Sequence, residues 1–210
     1  MREHRGVFVT FEGIDGCGKT TQLQALRRTL TGAGHEVLLV REPGGTMIGE
    51  KIRELLLDKE NTGMTSETEL LLYEAARSQI VREVIQPALN SGKIVICDRF
   101  YDSSTAYQGY GRGLPLEDVG TLNRFATGGL EPDLTFLLDL SARDAARRMH
   151  GREGQEDRLE IEGTEFMESV REGYLTMAGK NGRFVCLDAS LPALELQQEI
   201  EHKFWEVLRK

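Results

Sequence analysis

The chain has 210 residues, of which 40% are hydrophobic and 29% charged, and its formal net charge is −8 at pH 7. This size and composition are typical of one α/β domain with a substantial core, so we predict a single domain over residues 1–210. The negative charge argues against nucleic acid as a partner. No apolar run approaches the roughly 18 residues of a membrane span, so no membrane partner is expected.

Short apolar runs alternate with amphipathic stretches along the first half of the chain. The predicted elements here are strands at 7–11, 36–40 and 93–97 and helices at about 19–33 and 46–57. Ser66 and Glu69 have the spacing of a capping box and begin a further, long helix. Pro87 is expected to kink or end that helix, because it lacks a backbone N–H.

The second half of the chain continues the alternation. The predicted elements here are strands at 134–140 and 183–188 and helices at 115–127 and 191–209. Ser141 and Asp144 predict the start of one more helix after the strand at 134–140. The polar stretch at 150–160 carries both charges densely and predicts a mobile flap. Strands that alternate with helices predict a parallel sheet covered on both faces.

A glycine-rich loop lies between the first strand and the first helix. Residues 13–20 read GIDGCGKT, which fits GxxxxGK[ST] without a mismatch in the required strand–loop–helix context. Backbone N–H groups of such a loop surround phosphates, Lys19 would reach the β- and γ-phosphates, and the Thr20 hydroxyl would bind Mg²⁺. The alternative is a turn without a ligand. The predicted ATP contacts are Gly13, Ile14, Asp15, Gly16, Cys17, Gly18, Lys19, Thr20 and Thr21.

Two further segments carry candidate binding residues. Tyr73 and Arg77 are four residues apart in the predicted long helix and share a face, so they could hold a nucleobase by stacking and hydrogen bonding. A core tyrosine beside a surface arginine is the alternative. Asp98 and Arg99 follow the third strand. Asp98 could bind Mg²⁺ through water, and Arg99 could bind a phosphate through two of its N–H groups. A capped strand-to-helix turn is the alternative there.

Four strings carry a resemblance to a known family. FEGIDGCGKTT, REPGGT, YEAAR and DRFYDSSTAYQG occur in the order and spacing found in bacterial-type thymidylate kinases. The last string is close to diagnostic, whereas the phosphate loop alone is weak. The resemblance implies a three-layer P-loop NTPase fold with a five-stranded parallel sheet and a short lid at about 147–160. It also implies a homodimer that transfers the γ-phosphate of ATP to dTMP, with Mg²⁺.

The resemblance also implies roles for residues around the acceptor dTMP. Tyr73 would stack on thymine, Arg77 would address its carbonyl, and Tyr107 would crowd the sugar C2′. Asp15 would leave the phosphate loop to bind the 3′-hydroxyl of dTMP, although it could instead bond the backbone of its own turn. The remaining residues would contact the acceptor phosphate, the metal or the base: Glu42, Arg53, Arg99, Ser103, Ser104 and Gln108.

The residue at position 16 bears on which part of the chain supplies basic side chains to the phosphates. One branch of the family has a basic residue there, whereas this chain has Gly16 and would supply lid arginines instead. We predict that Arg152 and Arg158 close over the phosphates, with nearby carboxylates holding them when ATP is absent; the alternative is a solvated charged flap. The predicted catalytic residues are Asp15, Lys19, Arg99, Arg152 and Arg158.

The three cysteines, Cys17, Cys97 and Cys186, are widely spaced and odd in number. We interpret them as free thiols and expect a cytoplasmic protein, because reducing compartments favour unpaired cysteines. Two other functions stay open at this point: a kinase for a different nucleoside monophosphate, and a non-catalytic P-loop nucleotide sensor. A GTPase switch is disfavoured, since the chain has no NKxD string.

Overall fold

The computed structural model describes residues 6–150, 158–159 and 162–208. Within these ranges a five-stranded sheet has the order β2-β3-β1-β4-β5, and every neighbouring pair is parallel. The predicted parallel sheet flanked by helices is therefore confirmed. The strands are β1 Phe8–Glu12, β2 Val37–Arg41, β3 Ile94–Asp98, β4 Leu134–Asp139 and β5 Phe184–Asp188.

The central strand β1 separates two apolar layers, because successive side chains of a strand point to opposite faces. Phe8 packs in a cluster with Val95 and Phe100, whereas Val9 and Phe11 belong to the cluster on the other face. All five residues of β1 are buried, which fits a strand with partners on both edges and helices on both faces.

Helices cover both faces of the sheet. Two stretches, Val81–Ile85 and Thr105–Gly111, adopt π-helical geometry and continue directly from α3 and α5. The α-helices are α1 Lys19–Gly32, α2 Met47–Leu57, α3 Ser66–Ile80, α4 Gln86–Asn90, α5 Tyr101–Ser104, α6 Leu116–Thr127, α7 Ala142–Met149, α8 Thr164–Ala178 and α9 Ala193–Leu208. Among the described residues, no helix is long and apolar enough to cross a membrane.

The start of α3 differs from the prediction by one residue. Thr65, rather than Ser66, is the N-cap, and its hydroxyl accepts a hydrogen bond from the Thr68 N–H at 3.3 Å. The predicted capping box is thus wrong, because Glu69 turns inward and its carboxylate is buried. The cap predicted for α7 is confirmed, since Ser141 accepts from the Asp144 N–H at 3.1 Å.

Pro87 is accommodated without an immediate end to the helix. The chain widens into the π-helical stretch Val81–Ile85 before the proline, which then lies in the first turn of α4. Helical structure continues to Asn90, where the following Ser91 N–H bonds back to Pro87 and Ala88. A wider turn before Pro87 makes room for a residue that cannot donate to the helical ladder.

Two segments that position the site were not predicted as helices. One is α5 with the π-helical stretch Thr105–Gly111, and the other is α8, which packs against that stretch. Tyr174 of α8 is almost completely buried, with 1% of its surface exposed. Because α8 lies beside the residues that follow β3, it can support them from behind.

Candidate active site

The phosphate loop joins β1 to α1 at the carboxyl edge of the sheet. Lys19 begins α1, and its ammonium donates to the carbonyls of Gly13 at 2.9 Å and Ile14 at 3.0 Å. These bonds hold the ammonium inside the curve of the loop. No side chain caps the N-terminus of α1, where Gly18 occupies the cap position. Free N–H groups and a fixed cation together form a site suited to phosphate.

Gly16 is required by close packing within the fold. Its φ is +83°, and a Cβ built on it would lie 2.6 Å from the carbonyl oxygen of Ala145 in α7. That contact is shorter than any real Cβ contact, so a side chain here would displace α7. The structure thus explains why this chain has no basic residue at position 16.

Asp15 lies 3.8 Å from the Lys19 ammonium of its own loop and also joins that loop to the end of β3. Its Oδ1 accepts from Arg99 Nη2 at 2.8 Å, and its Oδ2 lies 3.4 Å from the Tyr107 hydroxyl. Burial alone would raise the pKa of Asp15, but the positive charges of Arg99 and Lys19 hold it below its ordinary value. Asp15 is therefore an anion, and among the described residues its hydrogen bonds go to the side chains of Arg99 and Tyr107 rather than to the backbone of its own turn.

Arg99 is fixed through both its backbone and its side chain. Its φ of 67° lies in the left-handed region, which is uncommon for a residue with a side chain. The Arg99 Nη1 group donates to the hydroxyls of Ser103 at 3.3 Å and Tyr174 at 3.2 Å. Its Nη2 group donates to Tyr107 as well as to Asp15. A guanidinium held in this way presents a fixed positive charge to the cleft.

The predicted base site centres on Arg77, which is 1% exposed rather than a surface residue. Its Nε donates to Glu42 at 2.7 Å, and its Nη1 group bonds to Glu74 and, at 2.9 Å, to Ser104. Burial raises the pKa of Glu42 to about 7, although the charge of Arg77 opposes that rise. The alternative of a surface arginine is thereby excluded, and Tyr73 lines the same cleft.

Glu69 gathers three donors beside the base site. It accepts from Gln108 at 2.7 Å, from Arg112 at 3.1 Å and from Arg158 at 2.5 Å. Arg158 also donates to the carbonyl of Leu56 at 3.0 Å, and its side chain is buried. The structure therefore places Arg158 against α2 and α3. Among the described residues its ionic partner is Glu69, and the lid carboxylates that we expected to hold it lie outside the described residues.

A cleft of about 190 Å³ unites most of the predicted residues. Thr20 and Asp98 lie on the same cleft as the residues predicted to contact dTMP. Arg152 lies outside the described residues, and so do most of the predicted lid residues. The predicted residues that line the cleft are Asp15, Gly16, Gly18, Lys19, Thr20, Thr21, Glu42, Arg53, Tyr73, Arg77, Asp98, Arg99, Ser103, Ser104, Tyr107 and Gln108.

Three predicted loop residues lie beneath this surface. Ile14 and Cys17 are buried in the apolar layer that contains Phe11, and Gly13 approaches the carbonyl of Leu138. A contact from these residues to ATP would involve their backbone. Within the described part of the chain, no group of three or more His, Cys, Asp and Glu side chains could hold a metal by itself.

Several side chains that support the cleft were not predicted from the sequence. Glu12 and Glu74 stand inside recognised strings but were given no role, and both carboxylates are buried. Each is a charged residue inside an apolar strand or helix face, and this pattern indicates a buried carboxylate that needs a partner. Tyr174 had no signal, because its helix was not predicted. Its relation to Arg99 exists only in three dimensions.

The fold and the phosphate loop define a P-loop nucleotide-binding protein, and a cleft extends beside the loop. The family model described as Thymidylate kinase matches residues 11–200. The chain is 55% identical over 190 residues to the thymidylate kinase of Desulforudis audaxviator, covering 90% of this chain and 85% of that one. It is 48% identical over 206 residues to the thymidylate kinase of Caldanaerobacter subterraneus, covering 98% of each. The chain belongs to the thymidylate kinase family, as its sequence strings predicted.

Proposed function

We propose that this enzyme transfers the γ-phosphate of ATP to dTMP, giving dTDP and ADP. The observation that carries the proposal is the contact between Asp15 and Arg99, whose atoms are 2.8 Å apart. Asp15 belongs to the phosphate loop, and Arg99 to the neighbouring cleft. This contact brings a donor site for ATP and an acceptor site for a nucleoside monophosphate to a common point.

The acceptor phosphate needs no strong general base, because its attacking oxygen is already anionic. Catalysis then consists of positioning the two substrates in line and neutralising charge on the transferring group. Lys19 is fixed inside the phosphate loop, and Arg99 is held on the acceptor side. We assign Lys19 to the β- and γ-phosphates and Arg99, with Arg53, to the phosphate of dTMP.

The base of dTMP would lie between Tyr73 and Arg77, which line one wall of the cleft. Arg77 is held rigidly by Glu42 and Glu74, so its position does not depend on the ligand. Ser103, Ser104 and Gln108 would complete the polar contacts around the base. Tyr107, which is packed against Arg99, would crowd the sugar C2′ and disfavour ribonucleotides.

The residues of the cleft fit Mg²⁺ as a partner of ATP. Mg²⁺ prefers oxygen ligands and is commonly held by one or two protein groups together with phosphates and water. Thr20 and Asp98 supply a hydroxyl and a carboxylate on the same cleft. When bound, the metal would neutralise phosphate charge, and Glu42 is a further carboxylate near that position.

Arg152 and Arg158 remain our candidates for the arginines that close over the phosphates. For Arg158 this role requires its side chain to leave Glu69 and the carbonyl of Leu56. The exchange of one anionic partner for another makes that movement electrostatically reasonable. Closure would also exclude water and so suppress hydrolysis of ATP.

We further propose a homodimer of single-domain protomers, located in the cytoplasm. Free cysteines at positions 17, 97 and 186 suit a reducing compartment. The adjacent helices α2, α3 and α6 expose large apolar side chains, which a second copy could cover. These side chains are Met47, Ile48, Leu55, Leu71, Leu116 and Phe125.

The decisive experiment measures ADP release with MgATP and dTMP, dUMP, dCMP, dGMP, dAMP or UMP. Turnover that depends on dTMP, with weak dUMP and little else, supports the assigned base and sugar contacts. A preference for another monophosphate would leave the phosphate chemistry intact but contradict the roles of Tyr73, Arg77 and Tyr107. Absence of turnover with every acceptor would favour a nucleotide sensor.

A further inference from the structure

Glu12 is a buried carboxyl directly behind the acceptor side of the cleft, and it does not line the cleft itself. It ends the central strand β1, where an apolar residue would pack more easily. Burying a carboxylate is unfavourable unless donors surround it. A buried carboxylate at this position therefore needs hydrogen-bond donors around it.

The donors around Glu12 all belong to the segment that carries Arg99 or to its support. The Phe100 N–H donates to Glu12 Oε1 at 2.7 Å. The hydroxyls of Ser103 and Tyr174 lie 2.6 Å and 3.0 Å from Glu12 Oε2. These same two hydroxyls accept from Arg99 Nη1.

We propose that Glu12 is a positioning residue that orients the Arg99 guanidinium for the acceptor phosphate, acting through Ser103 and Tyr174. The inference rests on the role proposed above for Arg99. An ionised carboxylate only accepts hydrogen bonds, whereas a hydroxyl both donates and accepts. The hydrogen of each hydroxyl therefore points either at Glu12 or at the other hydroxyl. The oxygen lone pairs are then available to Arg99.

The bond from Phe100 gives Glu12 a second hold on the same arginine. Phe100 follows Arg99, whose φ of 67° is disfavoured for any residue but glycine. A fixed N–H immediately after that residue helps to keep the turn in place. Glu12 thus controls both the backbone from which Arg99 projects and the acceptors that receive its side chain.

Two substitutions test the proposal. The measurements are made at pH 8, where the Glu12 carboxyl is ionised, because burial and the nearby Asp102 raise its pKa to about 7. Glu12→Gln keeps the shape, but with its amide oxygen facing the Phe100 N–H it places an NH₂ donor beside both hydroxyls, which must then turn their own hydrogens elsewhere. Tyr174→Phe removes one acceptor of Arg99. Hydrogen bonds to charged groups support an expected loss of about 10- to 100-fold in kcat/KM for dTMP, with KM for ATP changed less than about twofold.

Tyr101→Phe provides a matched control. Its hydroxyl also accepts from an arginine, at 3.0 Å, but that arginine is Arg183 rather than Arg99. We expect this variant to keep kcat/KM for dTMP within about twofold of the parent. Thermal unfolding of all variants separates loss of positioning from loss of folding, and Tyr174→Phe serves if Glu12→Gln does not fold.

A double-mutant cycle distinguishes positioning from general support. Tyr174→Phe is combined with Arg99→Lys, and dTMP affinity is measured by calorimetric titration alongside turnover. The proposal expects Tyr174→Phe to have almost no further effect once the forked guanidinium is gone. An equal loss in both backgrounds would overturn it. If Arg99→Lys itself leaves turnover and dTMP affinity unchanged, the role of Arg99 fails first, and the positioning role fails with it.

Discussion

Arg99 Nη2 and Asp15 Oδ1 lie 2.8 Å apart and join the end of β3 to the phosphate loop. The two residues are 84 positions apart in the chain, yet parallel pairing of β1 with β3 places them side by side. This ion pair accounts for a carboxylate inside a loop suited to anions, because an arginine from the neighbouring strand end balances the negative charge of Asp15.

Replacing Arg99 by alanine should abolish most turnover while leaving ATP binding nearly intact. We assign this guanidinium to the phosphate of dTMP, and loss of a group that positions the attacking phosphate should reduce kcat by about a hundredfold or more. Single-turnover kinetics and a separate ATP titration measure the two effects. Arg82→Ala is a suitable control, because Arg82 bonds the carbonyl of Ala126 and does not line the cleft. Near-normal kcat in Arg99→Ala would contradict the assignment.

Asp15→Ala should weaken dTMP more than ATP. The substitution removes the partner of Arg99 and the proposed acceptor for the 3′-hydroxyl, whereas Lys19 keeps its bonds to the loop carbonyls. We expect KM for dTMP to rise about tenfold or more, because a hydrogen bond to a charged group is lost. Steady-state kinetics with each substrate varied in turn measures the difference. An equal rise for both substrates would contradict the proposed orientation.

Glu69→Gln should destabilise the protein strongly. The change leaves Arg158 and Arg112 without their shared buried carboxylate, and breaking a buried ion pair costs about 3 kcal/mol or more. Urea unfolding measures the loss in free energy. Glu162→Gln removes the other, more exposed partner of Arg112 and should cost less than about 1 kcal/mol. Similar losses in both variants would contradict the central role of Glu69.

Gly16→Ala should destabilise the fold more than Gly34→Ala. Both glycines have positive φ, so each alanine incurs the left-handed penalty of about 1 kcal/mol. A Cβ at Gly34 meets no atom within 4 Å, whereas at Gly16 it would lie 2.6 Å from the carbonyl of Ala145. Chemical denaturation without nucleotide isolates this packing difference. Equal losses would mean that α7 moves aside without cost.

Stability should fall as pH rises from about 4.5 to about 7. Glu12 has a folded-state pKa of about 7, above its ordinary 4.5, so the folded protein holds this proton more tightly than the unfolded chain. Its stabilising contribution is complete below 4.5 and is lost by about 7. Glu42 contributes in the same direction, because burial also raises its pKa to about 7.

Urea unfolding at several pH values measures this dependence. Glu12→Gln should reduce the slope between pH 5 and pH 7, since the amide does not titrate in this window. Glu36→Gln removes an exposed carboxylate and should leave the slope unchanged. If the parent and Glu12→Gln have the same slope, the Glu12 proton is not held more tightly by the folded state.

The alternation of apolar runs with amphipathic stretches was enough to predict the sheet, and the GxxxxGK[ST] motif was enough to predict the phosphate loop. Apolar runs such as IVIC at 94–97 are buried, and the loop glycines have the positive φ values that the motif requires. The base site followed from family strings rather than spacing, because spacing alone left Arg77 as a surface residue. Its burial depends on Glu74 of the same helix and on Glu42, which reaches it from the segment after β2.

Other features lay beyond local patterns. The capping residue of α3 was misplaced because Thr65 and Ser66 are adjacent and chemically alike, so only backbone geometry separates them. Tyr174 reaches Arg99 across 75 positions, and no periodicity signals such a contact. The partner of Arg158 was also missed, since Glu69 was interpreted as part of a helix cap.

The strand order places the proposed contacts of the two substrates in different parts of the chain. Proposed dTMP contacts beyond Asp15 come from segments after β2 and β3, whereas the phosphate loop follows β1 and is packed against α7, which follows β4. The part with the proposed dTMP contacts and the part with the phosphate loop meet between β1 and β3. Changes in acceptor preference can therefore accumulate on one side of the molecule while its handling of the triphosphate stays constant, provided that the border residues are retained.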